Sequence, residues 1–291
     1  MLIISKPLIF AHFPNYFFKK ATEPIEPVES NNSSNLKSRV LSSLILIPVA
    51  LAATFQGGVF FGLLIAVLAF LMTFEWSRLV SDTSFSPEFI ALAGVGALAI
   101  IFAMIGNFDA AIIAGVIAAI AAAAGAHFGA RKYGWAALGA FYVLLPCVAL
   151  IWLRNDVANG RALVFLLFGI VWMADIGAFS AGRLIGGPRI SSALSPEKTW
   201  SGVGGGIAFG AFSGWFAGLI LDFDVSSIEL ALIGALLGFA SILGDLFESA
   251  IKRRFGVKDS GGIIPGHGGV LDRLDGMIFA TVAMTVAILC G

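Results

Sequence analysis

The sequence predicts an all-α integral membrane protein of about nine transmembrane helices, N-terminus cytoplasmic and C-terminus outside. Three observations predict it. Of the 291 residues, 58% are hydrophobic and only 12% are Asp, Glu, Lys or Arg, whereas a soluble domain carries about 25% charge. Nine apolar runs recur along the chain, and a helix needs about 20 mostly apolar residues to cross a bilayer. The Lys and Arg residues alternate between connecting segments in the positive-inside sense. Lys6, Lys19, Lys20, Lys37, Arg39, Arg78, Arg131, Lys132, Arg183, Arg189, Lys198, Lys252, Arg253, Arg254, Lys258 and Arg273 fall on the side expected to be cytoplasmic, against Arg154 and Arg161 on the other. The same composition excludes collagen-like, disordered and disulfide-stapled chains. A net charge of zero gives no global attraction to nucleic acid. Cys147 and Cys290 lie in apolar runs, where Cys behaves as a small hydrophobe.

Residues 1–36 are not a signal peptide, because Pro7 and Pro14 interrupt the apolar stretch and no basic region precedes an apolar core. They read as a flexible cytoplasmic tail, with residues 3–18 and their Phe10, Phe17 and Phe18 open to an interfacial reading as well. The polytopic domain then occupies 37–291. Its apolar runs are 40–55, 58–76, 88–105, 109–127, 135–153, 162–181, 202–221, 228–246 and 276–290. The first and last are short. No fixed-period repeat is visible. The Ala-rich 109–126 and Gly-rich 202–210 read as close helix contacts, since small residues let transmembrane backbones approach. The SGVGGG string at 201–206 lacks the Gly-Lys-Ser/Thr ending of a phosphate loop.

The scarce charge is concentrated in segment 245–275, which holds Asp245, Glu248, Lys252, Arg253, Arg254, Lys258, Asp259, Asp272, Arg273 and Asp275. Charges at membrane depth are costly and mark function by default. Asp245, Glu248, Ser249 and Lys252 share one face of a helix end, and Asp272 and Asp275 share a face at the start of the last helix. Clustered carboxylates without Cys partners suit a hard cation such as Mg2+. Between the two helix ends lies GVKDSGGIIPGHGGVLDRLD, whose glycines exclude a continuous helix and let backbone amides approach an anion. Lys252, Arg253, Lys258 and Arg273 add cationic donors. Metal carboxylates beside a cationic Gly-rich loop suit phosphoryl or nucleotidyl transfer. His267, between glycines, is a candidate for phosphate binding or proton shuttling.

A second polar cluster comprises Asp175 inside an apolar run, Arg183, Arg189 and the SPEKTW string at 195–200. Arg183 is a candidate partner for Asp175. Ser195 and Pro196 are placed at the start of the next helix, with Lys198 at its mouth. Glu75, beside Trp76 at a span end, has no decisive reading.

Residues 249–275 resemble the signature of the phosphatidate cytidylyltransferases, or CDP-diacylglycerol synthases. The motif runs Ser249, Lys252-Arg253, Lys258-Asp259, then Pro265 to Asp275 as PGHGGVLDRLD, with every fixed position filled. The SPEKTWSG string is similar to the family's Ser-Pro-Lys-Lys-Thr-Trp-Glu-Gly element, with Glu197 and Ser201 as departures. The resemblance implies a many-spanning fold and conversion of CTP and phosphatidic acid to CDP-diacylglycerol and pyrophosphate. It implies Asp245 and Asp272, with Asp275 close by, as ligands of Mg2+ and a second, monovalent cation. It implies Lys252, Arg253, Lys258, Asp259, His267 and Arg273 in catalysis, and Ser195, Lys198, Ser249, Gly268 and Gly269 in substrate binding. Expected partners are CTP, phosphatidic acid, the bilayer and a second copy in a homodimer, with no nucleic acid. The expected place is the inner cell membrane, with the active site on its cytoplasmic side. The competing classes are a CTP-dependent kinase of a lipid-like alcohol, which would release CDP, and a polytopic cation or phosphate transporter, which would need no CTP.

Overall fold

The computed structural model describes residues 32–81, 85–128, 133–191, 194–221, 223–264 and 268–290, with side chains from residue 42 onward except that of Phe128. Nearly all of it is helix: α1 (Asn32–Gln56), α2 (Gly58–Ser81), α3 (Pro87–Met104), α4 (Phe108–Phe128), α5 (Tyr133–Gly139), α6 (Leu145–Asn155), α7 (Gly160–Leu184), α8 (Trp200–Ile220), α9 (Ser227–Arg254) and α10 (Leu271–Cys290). Among the described residues eight stretches are long and apolar enough to cross a bilayer, with α5 and α6 together forming one of them. The first predicted run, 40–55, coincides with a shorter apolar stretch, Ser42–Gln56 of α1. Large apolar side chains such as Phe60, Leu63, Val67, Ile90 and Ile120 point outward, as a lipid-facing surface requires. The chain is a multi-pass membrane protein.

Two local features depart from the sequence expectation. The fifth span is not one regular helix, because a π-helical turn, Ala140–Leu144, separates α5 from α6. Pro146 explains the turn, since it lacks an N–H and its ring crowds the carbonyl four residues earlier, here that of Tyr142. The second feature is a small antiparallel hairpin, β1 (Arg189–Ser191) paired with β2 (Ser195–Thr199). Ser195 and Pro196 therefore belong to a strand, which corrects the expectation that they open the next helix. That helix starts at Trp200, capped by Thr199, whose Oγ1 accepts the amide of Gly202 at 3.2 Å. Pro is tolerated in so short a ribbon because both strands are edges.

The predicted run 228–246 marks only the apolar part of α9, which continues to Arg254, and α10 begins five residues before its run. Both extensions are polar, so hydropathy stopped short of them. The α9 start carries a capping box, with Ser226 Oγ accepting the Glu229 amide at 3.2 Å and Glu229 Oε2 accepting the Ser226 amide at 2.8 Å.

Helix α8 packs between α7 and α9. At its crossing with α9 no side chain intervenes: a Cβ on Gly210 would lie 2.6 Å from the Gly234 carbonyl oxygen. The Gly-rich run is thus a backbone contact surface, and the SGVGGG string is the first turns of α8. At the bundle end formed by the α6 C-terminus, Arg154 Nε donates to Thr54 O at 2.5 Å and its Nη2 donates to Phe55 O at 2.9 Å, which caps α1. Arg161 lies 5.0 Å over the Phe55 ring. The C-terminus of α2, the hairpin, the end of α9 and the start of α10 gather at the opposite end.

Candidate active site

Helix α9 ends in a Schellman motif. The Val257 amide donates to Lys252 O at 3.0 Å and the Gly256 amide to Arg253 O at 3.2 Å, with Gly256 at φ +72°. This turn aims the chain back across the bundle end. No helix interrupts the described residues from there to α10.

The returning loop closes on Glu75, which is 1% exposed at the end of α2. Its Oε1 accepts the Val270 amide at 2.9 Å and its Oε2 the Leu271 amide at 2.9 Å. Ser260 Oγ donates to Oε2 at 3.4 Å. These amides open α10, so Glu75 caps a helix that is remote in sequence and places negative charge at its positive end. The fit leaves no room for side chains: a Cβ on Gly269 would sit 2.7 Å from Glu75 Oε2, and one on Gly261 2.6 Å from Oε1. Trp76, the next residue, donates from Nε1 to Trp135 O at 3.0 Å and packs against Tyr142 at 5.2 Å between ring centroids.

Asp272 lies one layer further out. Its Oδ2 accepts the amides of Gly269 at 2.8 Å and Ser260 at 3.0 Å, while Oδ1 accepts from Lys252 Nζ at 2.7 Å. Lys252 Nζ also donates to Glu248 Oε2 at 2.9 Å. The three side chains are 5%, 15% and 3% exposed for Asp272, Lys252 and Glu248, so this is a desolvated ion triad. Asp272 therefore ties α9, the loop and α10 together.

The remaining charges form an open wall. Lys198 Nζ, from β2, lies 2.6 Å from Asp245 Oδ1 of α9, and the Asp245 side chain is 44% exposed. Asp175 of α7 is exposed on the same side, within electrostatic reach of Asp245, Lys198 and Arg273. Asp275 lies against Glu248 and close to Asp245, and its Oδ1 accepts the Gly276 amide at 2.8 Å. Among the described residues, Glu248 Oε1 is buried without a hydrogen-bond donor. Among the described residues no three His, Cys, Asp or Glu side chains form a cage for a metal ion.

Of the residues singled out by sequence, Lys198, Asp245, Lys252, Gly268, Gly269, Asp272, Arg273 and Asp275 come to this one bundle end. Gly268 sits at φ +81°, where a Cβ would lie 2.9 Å from Asp272 Oδ2. Arg253 is exposed and donates from Nε to Leu194 O, next to the hairpin, at 3.4 Å. Ser195 pairs with Ser191 in the hairpin, and Ser249 is half-buried on α9. Lys258 and Asp259 are exposed on the turn after α9 and, among the described residues, bond to none of these carboxylates. His267 lies outside the described residues, as do residues 1–31. Arg183 lies 5.9 Å over the Phe179 ring and, among the described residues, forms no ion pair with Asp175, which corrects that expected pairing. Glu75 is the residue whose role the sequence left open, and the orphaned Glu248 oxygen also had no sequence signal.

The model of the cytidylyltransferase family matches residues 37–290. The chain belongs to the cytidylyltransferase family. Its relatives include the phosphatidate cytidylyltransferase of Brucella suis, 35% identical over 255 residues that cover 86% of this chain and 92% of the relative. That of Pseudomonas aeruginosa is 34% identical over 264 residues, covering 84% and 94%. A shorter match to the phosphatidate cytidylyltransferase of Synechocystis is 45% identical over 126 residues, covering 42% and 41%. The family match over residues 37–290 spans the bundle and its polar end together, and so includes the scaffold as well as the motif.

Proposed function

We propose that the chain is a phosphatidate cytidylyltransferase, forming CDP-diacylglycerol and pyrophosphate from CTP and phosphatidic acid. The observation that carries this reading is the convergence of Lys198, Lys252 and Arg273 with Asp175, Asp245 and Asp275 at one end of a membrane bundle of this family. A phosphate oxygen of phosphatidate attacks the α-phosphorus of CTP in line. The new P–O bond forms as the bond from the α-phosphorus to the bridging oxygen breaks, and pyrophosphate leaves. No general base is needed, because a phosphate monoester is largely dianionic near neutral pH.

Lys198 and Arg273, on the open wall, bind and orient the phosphates and reduce repulsion between two anionic substrates. Arg253, at the end of α9, and Lys258, on the turn after it, are second contributors of donors, and His267 keeps the phosphate or proton role that the sequence suggests. Lys252 and Asp272 hold the loop amides in register. The donor set fits a hard cation, because Asp275 beside Glu248 and Asp245 is a dense negative cluster. Mg2+ is usually held by one or two carboxylates plus substrate phosphates, not by an all-protein cage. Asp245 and Asp275 would hold Mg2+ with a second, monovalent cation beside it, supplying charge stabilisation at the phosphate oxygens, while Asp272, both of whose oxygens accept from Lys252 and the loop amides, would act on that cation only through the loop it holds. The site faces the cytoplasmic leaflet of the inner membrane in this reading, where CTP is available.

The test is transfer of label from CTP into chloroform-soluble lipid by the purified protein, with and without Mg2+ and beside an Asp245→Asn variant. Label in lipid with release of pyrophosphate is expected. Release of CDP would replace the reading with a kinase, and ion flux into liposomes without any use of CTP would replace it with a transporter.

A further inference from the structure

A cavity of about 120 Å3 lies inside the membrane-spanning bundle, walled by α1, α2, α6, α7 and α10. Ala50, Leu64, Cys147, Phe168, Trp172 and Met277 are among its lining residues, and no polar surface opens into it. Apolar cavities of this size stay dry and take apolar ligands, as an engineered cavity of about 150 Å3 takes benzene. Phosphate and nucleotide groups are excluded from it by the cost of burying unpaired charge.

Its position is the informative part. On α10, Arg273 faces the polar site, while Leu274 and Met277 line the cavity. On α7, Asp175 belongs to the polar wall, while Trp172 and Phe168, three and seven residues earlier on the same face, line the cavity. Two helices thus lead from charged groups to apolar lining within about one turn, roughly 5 Å. A ligand that spans this boundary must be anionic at one end and aliphatic at the other.

We propose that this cavity receives a segment of one fatty acyl chain of the lipid substrate and thereby sets the enzyme's acyl preference. The inference rests on the reading of that substrate as a phosphatidate. Its volume admits a few methylenes, and its lining extends along α2 from Met72 to Phe61, about 16 Å at 1.5 Å per residue, so it grips the chain beyond the reach of eight carbons and leaves the rest in the bilayer. The second acyl chain stays with the lipid outside.

The full-length enzyme is assayed for CTP-to-lipid transfer with dioleoyl and with dioctanoyl phosphatidic acid, and kcat/KM is compared between the two. Ala50→Phe, which fills the cavity from α1, is expected to lower the dioleoyl-to-dioctanoyl ratio about tenfold. Leu64→Ala, which enlarges it, is expected to shift the ratio the opposite way. The wild-type enzyme is also irradiated with a phosphatidic acid carrying a diazirine along one acyl chain, with adducts expected on α7 or α10 residues that line the cavity. Unchanged ratios in both variants, or adducts confined to outward-facing residues such as Phe60 and Ile120, overturn the acyl assignment while the enzyme remains a cytidylyltransferase. Absence of transfer from CTP to either lipid overturns the proposed function and the acyl assignment with it.

Discussion

The carboxylate of Glu75 accepts the amide of Leu271 at 2.9 Å across 196 positions of chain. One side chain at the end of α2 therefore fixes where α10 begins, and with it the orientation of Asp272, Arg273 and Asp275.

Glu75→Gln replaces one acceptor oxygen with an amino group facing a backbone N–H. Leaving a buried donor unsatisfied costs about 1–3 kcal/mol. The variant is expected to melt earlier in detergent, and to lose kcat more than affinity for CTP, because the loop loses its register while the cations remain. A loss confined to the KM for CTP would contradict this role.

Gly269→Ala puts a methyl group against Glu75 and Ser260. Overpacking a tight site costs about 1–3 kcal/mol, so the variant is expected to reproduce the Glu75→Gln defect. Gly262→Ala adds a methyl group in open space and is expected to change stability by under about 0.5 kcal/mol. Thermal unfolding of the pair, measured side by side, checks both.

Lys252→Met leaves Glu248 and Asp272 buried without their shared cation. Removing one partner of a buried ion pair costs about 3–5 kcal/mol. Adding Glu248→Leu should recover part of that loss, with a coupling of about 1–3 kcal/mol in a double-mutant cycle. Additive losses would show that the triad does not act as a unit.

Lys198 and Asp245 can be interchanged. Their pairing is half-exposed, so its stability contribution is below about 1 kcal/mol. Lys198→Ala is expected to lower kcat/KM for CTP at least about tenfold, which is about 1.4 kcal/mol of lost binding to the transition state. The exchanged variant, Lys198→Asp with Asp245→Lys, restores the ion pair but moves both the positive charge and the carboxylate proposed to hold Mg2+, and its activity is expected to stay low. Recovered activity would make the pair purely structural.

The helices and the polar segment 245–275 were legible because hydropathy and charge are local properties of the chain. The site's closing residue was not. A single carboxylate at a span end has no partner at helical spacing, and those of Glu75 lie 185 to 196 positions away. The hairpin was invisible for another reason: strands of three and five residues, one reading SPEKT, are too short and too charged to show alternation. The π-helical turn had a signal in Pro146, but a proline inside an apolar run equally announces an ordinary kink.

Within the triad and the wall, Lys198 and Lys252 each begin with a carboxylate already in place, at 2.6 and 2.7 Å. The site is therefore an ion exchanger and not a bare positive trap. In the proposed function, an arriving phosphate gains Lys198 only by displacing Asp245, so nucleotide affinity is the difference between two ion pairs. Added salt weakens both sides of that exchange together. In the proposed function, a membrane surface crowded with anionic headgroups and soluble phosphates thus meets a site whose lysine on the open wall is masked by its own carboxylate until a substrate phosphate takes that place.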